Sequence, residues 1–182
     1  RYRLWDEDNT YNLGQNYTGL PTTTFTVDPC AVQDLFGGDP DIPHVDMLNG
    51  ILANPAGKEL YVNRYADLLN TVLRCDTLLA HLQKMEDVLA PEMTKQCQRW
   101  GGSVAGWNAN LDLLKEQITG HCAVIDSLMV DCYTLKGPYA ITVDVDPPLS
   151  GMVRVSTYTP PLYLWNAQYY GGVKLPLLAT PA

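Results

Sequence analysis

The hydrophobic pattern of this chain changes once, near residue 136, and that change limits the fold more than any other feature. Before Gly137 the apolar residues recur every three or four positions, which is the spacing of one face of an α-helix. Over residues 139–145 apolar and polar residues alternate, as they do in a β-strand with one buried face. The sequence therefore predicts an α+β fold, with a mainly helical region over residues 1–135 and a small antiparallel β-module over residues 136–182.

Length and charge narrow the functional classes. The chain has 182 residues, which suits one domain or one domain with a small appendage. It carries 12 basic and 20 acidic residues, and the net charge of −8 repels a phosphate backbone. Its apolar runs are far shorter than the roughly 18 to 20 residues that a membrane span needs. The sequence therefore argues against nucleic-acid binding and predicts no membrane-spanning segment.

Glycine and proline positions divide the first region into a loop and several helices. Residues 6–43 are rich in Gly, Pro, Asn and Asp, which predicts a long loop, and so long a loop in a compact domain is usually functional. Gly120 either ends the last helix of the region or kinks it. Helical apolar spacing after the loop predicts five helices, which begin near Val45, Pro55, Asp76, Glu92 and Ser103.

Apolar spacing also assigns a buried face to two of these helices. Trp100 and Trp107 are interpreted as packing residues of the helical core rather than as a ligand platform. The second helix is predicted to bury Leu60, Tyr61, Tyr65, Leu68, Leu69 and Val72. The third is predicted to bury Leu78, Leu79, Leu82, Met85, Val88 and Leu89.

The β-module is predicted to contain three or four antiparallel strands. Residues 139–145 form the first strand, and residues 152–156 return along it after a proline-rich turn. Further strands follow at 163–170 and 173–180. Because so small a sheet has little core of its own, we expect it to pack on the last helix or on a neighbouring subunit. Four aromatic residues form either the core of the module, which is favoured, or a carbohydrate-binding face: Tyr163, Trp165, Tyr169 and Tyr170.

Two short arrangements of charged residues are candidates for a site. Asp6 and Asp8 lie two positions apart, so in an extended segment both carboxylates face one side and can share a divalent cation; the alternative is a solvated acidic turn. Arg64 either pairs with Asp67 one helical turn away, which is favoured, or holds the loop of residues 6–30. The sequence shows no pattern typical of a hydrolase triad, a phosphate-binding loop or a zinc site, so no catalytic residue is assigned.

The five cysteines predict disulfide bonding but not its full connectivity. On one continuous helix Cys122 and Cys132 would lie about 15 Å apart, which is too far to bond. Cys75 and Cys97 fall on neighbouring predicted helices and are the expected pair, while Cys30 is expected to be free or paired with another part of a longer chain. This cysteine usage suits an oxidising compartment.

Three sequence stretches of the first region occur together, in order, across residues 4–130. They are Leu-Trp-Asp-Glu-Asp-Asn-Thr-Tyr at 4–11 with Asn-Tyr-Thr-Gly-Leu-Pro at 16–21 and Asp-Pro-Cys at 28–30, then Tyr-Val-Asn-Arg-Tyr-Ala-Asp-Leu-Leu-Asn-Thr at 61–71, and Leu-Ala-Pro-Glu-Met at 89–93 with Arg-Trp-Gly at 99–101 and Trp107. Together they resemble the spore-coat CotH kinase-like family. The tail, with Val-Asp-Val at 143–145 and the aromatic stretch 165–172, is similar to the β-module that often follows this domain in secreted bacterial proteins.

The resemblance implies an atypical protein kinase. Such a kinase has a nucleotide-binding lobe, a catalytic loop that supplies an Asp and an Asn, and a metal-binding Asp in a Trp-Asp-x-Asp motif. Asp6 is then the metal ligand and Asp8 a neighbouring or alternate one, and the implied cofactor of the full-length member is Mg²⁺ or Mn²⁺ with ATP. Only this last motif occurs in the chain, which looks like a piece of a longer protein. We therefore expect the chain by itself to be non-catalytic and to bind no cofactor tightly.

The sequence thus predicts the C-terminal portion of a secreted CotH-like atypical protein kinase, located outside the cell or at the cell surface. Its expected partners are a protein substrate or a neighbouring subunit, and the remainder of its own chain. The alternative comes from a different class: an extracellular structural or assembly subunit, or a carbohydrate-binding surface module, that uses the same fold.

Overall fold

The fold is of the α+β class, as the sequence predicts. The computed structural model describes residues 25–31 and 43–182, with only the backbone described at residues 43 and 44. The described helices are α1 Pro43–Ala53, α2 Pro55–Leu69, α3 Cys75–Leu89, α4 Met93–Trp100 and α5 Val104–Tyr133, with a 3-10 turn at Ala90–Glu92. The described strands are β1 Lys136–Val143, β2 Gly151–Val155, β3 Trp165–Gly171 and β4 Leu177–Pro181.

Helix α2 begins where local chemistry favours a helix start. Asn54 has an extended backbone, and its Oδ1 accepts hydrogen bonds from the backbone N–H groups of Ala56 and Gly57, at 2.9 and 3.3 Å. Pro55 occupies the first helical position, where its missing N–H costs nothing. The side-chain cap and the proline together fix the break between α1 and α2.

Helix α5 begins at the predicted cap and continues through Gly120. Ser103 Oγ accepts a hydrogen bond from the backbone N–H of Gly106 at 3.0 Å. A Cβ at Gly120 would lie 2.6 Å from Cγ of Phe25, so the glycine allows this ring to approach the helix and does not end it. Although α5 has 30 residues, neither it nor any other described helix is long and apolar enough to cross a membrane.

The folded chain forms two compact units. Among the described residues, the first unit contains 25–27 and Arg74–Ile125, and the second contains Asp28–Leu73 and Asp126–Ala182. Each unit therefore joins two segments that are distant in sequence. The predicted division at residues 135 and 136 stays a prediction, because these units are defined by packing and not by independent folding.

In the first unit α3 and the first part of α5 run antiparallel. Lys115 Nζ on α5 lies 2.9 Å from a carboxylate oxygen of Glu86, near the end of α3. Cys75, at the start of α3, is bonded to Cys122, farther along α5, with a Cα–Cα distance of 6.0 Å. Because the contacts run in opposite directions along the two helices, the helices are antiparallel. The buried apolar residues of this unit include Leu82, Ile118 and Ile125.

The predicted disulfide between Cys75 and Cys97 is wrong. Cys97 is a free cysteine, and Cys75 pairs with Cys122 instead. Cys75 opens α3, which has 15 residues and so spans about 22 Å, while Cys97 lies on α4 beyond the far end of that helix. The antiparallel return of α5 brings a cysteine back beside Cys75, and the apolar pattern does not reveal that direction.

A second disulfide closes the second unit. Cys30 is bonded to Cys132, with a Cα–Cα distance of 5.7 Å, so the expectation that Cys30 is free or paired outside this chain is also wrong. The bond ties the short segment at residues 28–31 to the end of α5. Cys122 and Cys132 do not bond to each other, in agreement with their positions on one continuous helix.

The four strands form two antiparallel two-stranded sheets. β1 pairs with β3, with Tyr139 opposite Tyr169, and β2 pairs with β4, with Met152 opposite Thr180. The strand at 152–156 was expected to return along the first strand, and this expectation is wrong. β3 takes that place, with Tyr139 opposite Tyr169, and β2 pairs with β4 instead.

Several helical residues that were predicted to be buried are exposed. Trp100 is 70% exposed, and the guanidinium of Arg99 lies 5.1 Å from the centre of its ring. Trp100 is the last residue of the short helix α4, so its ring lies at the surface beside this cation and not in a core. Trp107 is half-buried. The other exposed members of the predicted buried faces are Leu60 and Val72 in the second predicted helix and Met85, Val88 and Leu89 in α3.

Candidate functional site: the α2 contact

Among the described residues, one face of α2 carries a cluster of buried, hydrogen-bonded polar side chains. Asn63 and Asp67 are one helical turn apart and are 2% and 1% exposed, and Asn70 follows at the end of the helix. These residues bond to the turn after β2, to β3 and to the segment before β4. We call this set, with its partners, the α2 contact: Asn63, Arg64, Asp67, Asn70, Thr157, Gln168, Tyr169 and Lys174.

Asp67 is the centre of the α2 contact. Its Oδ2 accepts hydrogen bonds from the backbone N–H of Thr157 at 3.0 Å and from the Thr157 hydroxyl at 2.6 Å. Its Oδ1 accepts one from the Tyr169 hydroxyl at 2.5 Å. A buried carboxylate is costly unless its oxygens are paired, and these three donors meet that need. Asp67 therefore joins α2 to the turn after β2 and to β3 at once.

The pKa of Tyr169 responds to this environment. Burial raises the pKa of its phenol above the ordinary value, and the hydrogen bond to Asp67 and the negative charge of that carboxylate raise it further. Tyr170, the next residue along β3, donates to Asp126 Oδ1 at 2.6 Å, and burial and this carboxylate raise the pKa of Tyr170 in the same way. Both hydroxyls therefore remain protonated donors at neutral pH.

Arg64 does not form the ion pair with Asp67 that the helical spacing predicts. The ion pairs found in the described part of the chain are Arg74–Asp76, Lys95–Glu92 and Lys115–Glu86. Arg64 instead donates from a guanidinium nitrogen to the Thr157 hydroxyl oxygen at 2.9 Å. Because the same hydroxyl donates to Asp67, Thr157 stands between the two charges.

Thr157 is presented to α2 by a tight turn. Val155 and Tyr158 exchange two backbone hydrogen bonds, at 2.8 and 2.9 Å, which leaves Ser156 and Thr157 as the two residues of the turn tip. Ser156 has a φ of 53°, the left-handed conformation that such two-residue turns use. The turn tip therefore projects its backbone N–H and hydroxyl toward Asp67.

Asn70 extends the α2 contact along β3. Its Nδ2 donates to the carbonyl of Gln168 at 2.7 Å, and its Oδ1 accepts from the N–H of the same residue at 2.8 Å. The side-chain amide thus pairs with one residue of β3 as a neighbouring strand would. The β-strands were expected to pack on the last helix or on a neighbouring subunit. They dock mainly on α2 instead, and Tyr170 adds a bond to Asp126 of α5, so the expected surface is only part of the observed one.

The predicted metal ligands Asp6 and Asp8 lie outside the described residues. Within the described ranges, Asp28, Cys30 and Cys132 bring one oxygen and two sulfur atoms within 4.8 Å of one another. The two sulfur atoms are joined in a disulfide, so they offer no thiolate to a metal. The proposal of a metal at Asp6 and Asp8 therefore rests on the sequence.

The strands also border an apolar groove with a volume of about 600 Å³. Its lining includes Leu149, Leu162 and Met152, all of which are exposed, together with Tyr163, whose hydroxyl accepts from the backbone N–H of Val153 at 2.7 Å. Trp165 does not line this groove. It is half-buried, and its ring centre lies 5.3 Å from that of Tyr158 and 6.4 Å from that of Tyr169. The aromatic residues of β3 therefore belong to the core of the second unit.

Comparison with known proteins identifies the class of the helical part. A family model described as CotH kinase protein matches residues 1–121, about two thirds of the chain. The match includes α1 to α4 and the first part of α5, and it ends before the strands. No curated protein and no solved structure matches the chain. The chain is thus an α+β protein that belongs to the CotH kinase protein family.

Proposed function

We propose that this chain is the C-terminal portion of a secreted atypical protein kinase of the CotH type. The match over residues 1–121 carries the proposal. In the proposed enzyme Asp6, with Asp8 beside it, contributes carboxylate oxygens, the ligands that Mg²⁺ and Mn²⁺ prefer. Metal-bound ATP supplies the phosphoryl group and the charge neutralisation that its transfer requires.

The sequence of this chain contains only part of what phosphoryl transfer requires. Phosphoryl transfer also needs a positioned acceptor hydroxyl and groups that hold the nucleotide phosphates. No stretch of the chain resembles the nucleotide lobe or the catalytic loop of the family. We therefore propose that the chain acts with a longer polypeptide that supplies these parts, and that its substrate is a protein.

Two features support an extracellular location. The described residues contain two disulfide bonds, Cys30–Cys132 and Cys75–Cys122, and such bonds persist in oxidising compartments. The resemblance of the tail to β-modules of secreted bacterial proteins points the same way.

The proposed function is tested by phosphate transfer. The longest native polypeptide that contains this chain is incubated with ATP labelled at the γ-phosphate, a protein acceptor, and Mg²⁺ or Mn²⁺. We expect transfer that falls by about 100-fold or more in Asp6→Asn, because the metal loses a charged ligand. Glu7→Gln is the matched control, since it removes an adjacent carboxylate that is not assigned to the metal. Absence of transfer with either metal, or equal transfer by Asp6→Asn, would refute the proposal.

A second candidate function is assembly, and the apolar groove favours it. Leu149 and Leu162 are 91% and 77% exposed there, and exposed apolar residues that lie together mark contact surfaces more often than isolated ones do. If the chain is an assembly subunit, Leu149→Ser with Leu162→Ser will lower its apparent mass in light scattering at high concentration. A monomer in both forms excludes self-assembly. The carbohydrate alternative has less support, because Trp165 packs against other aromatic rings.

A further inference from the structure

The hydroxyl of Thr157 lies between a buried carboxylate and an exposed cation. It donates to Asp67 Oδ2 at 2.6 Å, and it accepts a hydrogen bond from a guanidinium nitrogen of Arg64 at 2.9 Å. Asp67 is 1% exposed, whereas Thr157 and Arg64 are both exposed. The hydroxyl oxygen is therefore bonded to a proton acceptor on its inner side and has a positive charge beside it at the surface.

The position of Thr157 in a turn makes this hydroxyl accessible to another protein. Val155 and Tyr158 close the turn with two backbone hydrogen bonds, and Ser156 and Thr157 form its tip. Ser156 is buried, so Thr157 is the residue that the tip presents to solvent. Exposed turns of this kind are where proteins commonly carry sites that other molecules reach.

Arg64 has more hydrogen-bonding capacity than this contact uses. A guanidinium carries several N–H donors in a planar fork that matches the oxygens of a phosphate. Within the described ranges Arg64 makes one side-chain hydrogen bond, to Thr157 Oγ1, and no ion pair. A hydroxyl oxygen carries no net charge for the guanidinium to neutralise. The cation and its remaining donors therefore stand next to the hydroxyl without an acidic partner.

We infer that Thr157 is a phosphorylation site and that Arg64 holds the resulting phosphate. A nucleoside triphosphate bound to a protein kinase supplies the phosphoryl group. The bond between Thr157 Oγ1 and the γ-phosphorus forms as the bond from that phosphorus to the bridging oxygen breaks, and the nucleoside diphosphate leaves with the electron pair. The hydroxyl proton passes to Asp67 Oδ2, to which it is already hydrogen-bonded, and then to solvent.

The inferred modification weakens the α2 contact. Phosphothreonine carries a charge of about −1.5 to −2 at neutral pH, and its Oγ1 no longer has a proton to donate to Asp67. The contact thus loses one hydrogen bond and gains repulsion between two negative groups. Arg64 compensates in part through charge-assisted hydrogen bonds to the phosphate, but an exposed ion pair contributes little. Phosphorylation therefore loosens the turn after β2 from α2.

The first test is to map phosphate on the whole protein, purified from the cells that produce it in the presence of phosphatase inhibitors. Trypsin cleaves after Arg154 and Lys174, so residues 155–174 form one peptide for mass spectrometry. We expect phosphate on Thr157 and none on Thr159, an exposed threonine of the same peptide that serves as the matched control. Unmodified Thr157, or phosphate on Thr159 alone, would overturn the inference.

This test is independent of the proposed function, because any protein kinase that reaches the turn can supply the phosphoryl group. The same mapping on Asp6→Asn separates the two ideas. Phosphate on Thr157 that persists in this variant supports the inference and assigns the transfer to another kinase. Transfer to other proteins with Thr157 unmodified leaves the proposed function intact and overturns the inference.

The second test asks whether Arg64 holds the phosphate. Phosphothreonine is placed at position 157 or 159 of the whole chain, and urea unfolding is compared with that of the unmodified chain. The unfolding equilibrium constant should rise roughly tenfold for position 157, because one hydrogen bond to a charged group is lost, and less than about twofold for position 159. Arg64→Gln should increase the effect at position 157 by a further factor of about two to five and leave the effect at position 159 unchanged. Equal changes at both positions would contradict the inference.

Discussion

Replacing Asp67 tests whether the α2 contact holds the β-strands in place. Asp67→Ala removes the carboxylate that accepts three hydrogen bonds, which come from the Tyr169 hydroxyl, the backbone N–H of Thr157 and the Thr157 hydroxyl. Thr157 is exposed, so its hydroxyl can bond to water instead. The Tyr169 hydroxyl cannot, because Tyr169 is only 3% exposed.

The expected loss is worked out from two of these bonds, those that the Tyr169 hydroxyl and the backbone N–H of Thr157 donate to the charged Asp67 carboxylate. Hydrogen bonds to a charged group contribute about 1.5 to 3 kcal/mol each, which gives about 3 to 6 kcal/mol for two. Removing the carboxylate also removes the cost of burying its charge, so the lower end, about 3 kcal/mol, is the expected loss in the free energy of unfolding. Asp67→Asn keeps one acceptor oxygen and should lose about half as much.

The assay is urea unfolding followed by circular dichroism, with hydrogen exchange of peptides that contain β3. Asp131→Ala is the control, because Asp131 is an exposed aspartate on α5 in the same unit and should change stability by less than about 0.5 kcal/mol. Thr157→Val should be strongly non-additive with Asp67→Ala, since the two residues share their bonds. If Asp67→Ala is no more destabilising than Asp131→Ala, the reasoning about this contact is wrong.

Three further predictions concern pH, cysteines and metal. Because the pKa values of Tyr169 and Tyr170 are raised in the folded chain, the unfolded chain loses its phenol protons at lower pH. The stability that these two groups contribute is therefore fully present below about pH 10 and falls above it, by up to about 1.4 kcal/mol per pH unit for each tyrosine. A pH series in which Tyr169→Phe has the same slope as wild type would contradict this. Non-reducing peptide mapping should find Cys30 linked to Cys132 and Cys75 linked to Cys122, with Cys97 open to alkylation, and a Cys75–Cys97 peptide would refute the assignment. Replacing both Cys75 and Cys122 with serine should lower the free energy of unfolding by about 4 kcal/mol. Calorimetric titration of this chain with Mn²⁺ should show only weak binding, because two carboxylates provide too few ligands, and micromolar affinity that Asp6→Ala abolishes would show that the site is stronger than proposed.

Local sequence signals predicted the elements of the fold well. Two helix starts depend on residues that act within the first turn: Asn54 and Pro55 begin α2, and Ser103 caps α5. Their effect is therefore visible in the sequence. The change from helical to alternating spacing near residue 136 matches the end of α5 and the start of β1. These features depend on neighbours along the chain, which is why they can be read without a structure.

The α2 contact could not be predicted because its partners are far apart in sequence. The i,i+3 spacing of Arg64 and Asp67 permits an ion pair, but Thr157, about 90 residues away, binds both of them instead. The buried residues of α2 are Val62, Asn63, Ala66 and Asp67, whereas four residues of the predicted face are half-buried, so an apolar count misses the polar part of the buried face: Tyr61, Tyr65, Leu68 and Leu69. A polar stripe at helical spacing, from Asn63 through Asp67 to Asn70, is the signal that could have indicated the contact.

The cysteine pairing failed for a related reason. Whether Cys75 meets Cys97 or Cys122 depends on the direction in which α5 returns along α3, and apolar spacing defines faces but not directions. The candidate metal residues Asp6 and Asp8 remain a prediction from sequence and family resemblance.

The central structural claim is that α2 and the β-strands form one cooperative unit through Asp67, and native-state hydrogen exchange tests it most directly. The opening free energies of amides in the buried part of α2 and in β3 are measured in wild type and in Asp67→Ala under conditions where exchange reports equilibrium opening. The account predicts that both segments open with the same free energy in wild type and that both lose protection in the variant. If β3 opens at a much lower free energy than α2 in wild type, and Asp67→Ala leaves α2 unchanged, the claim is contradicted.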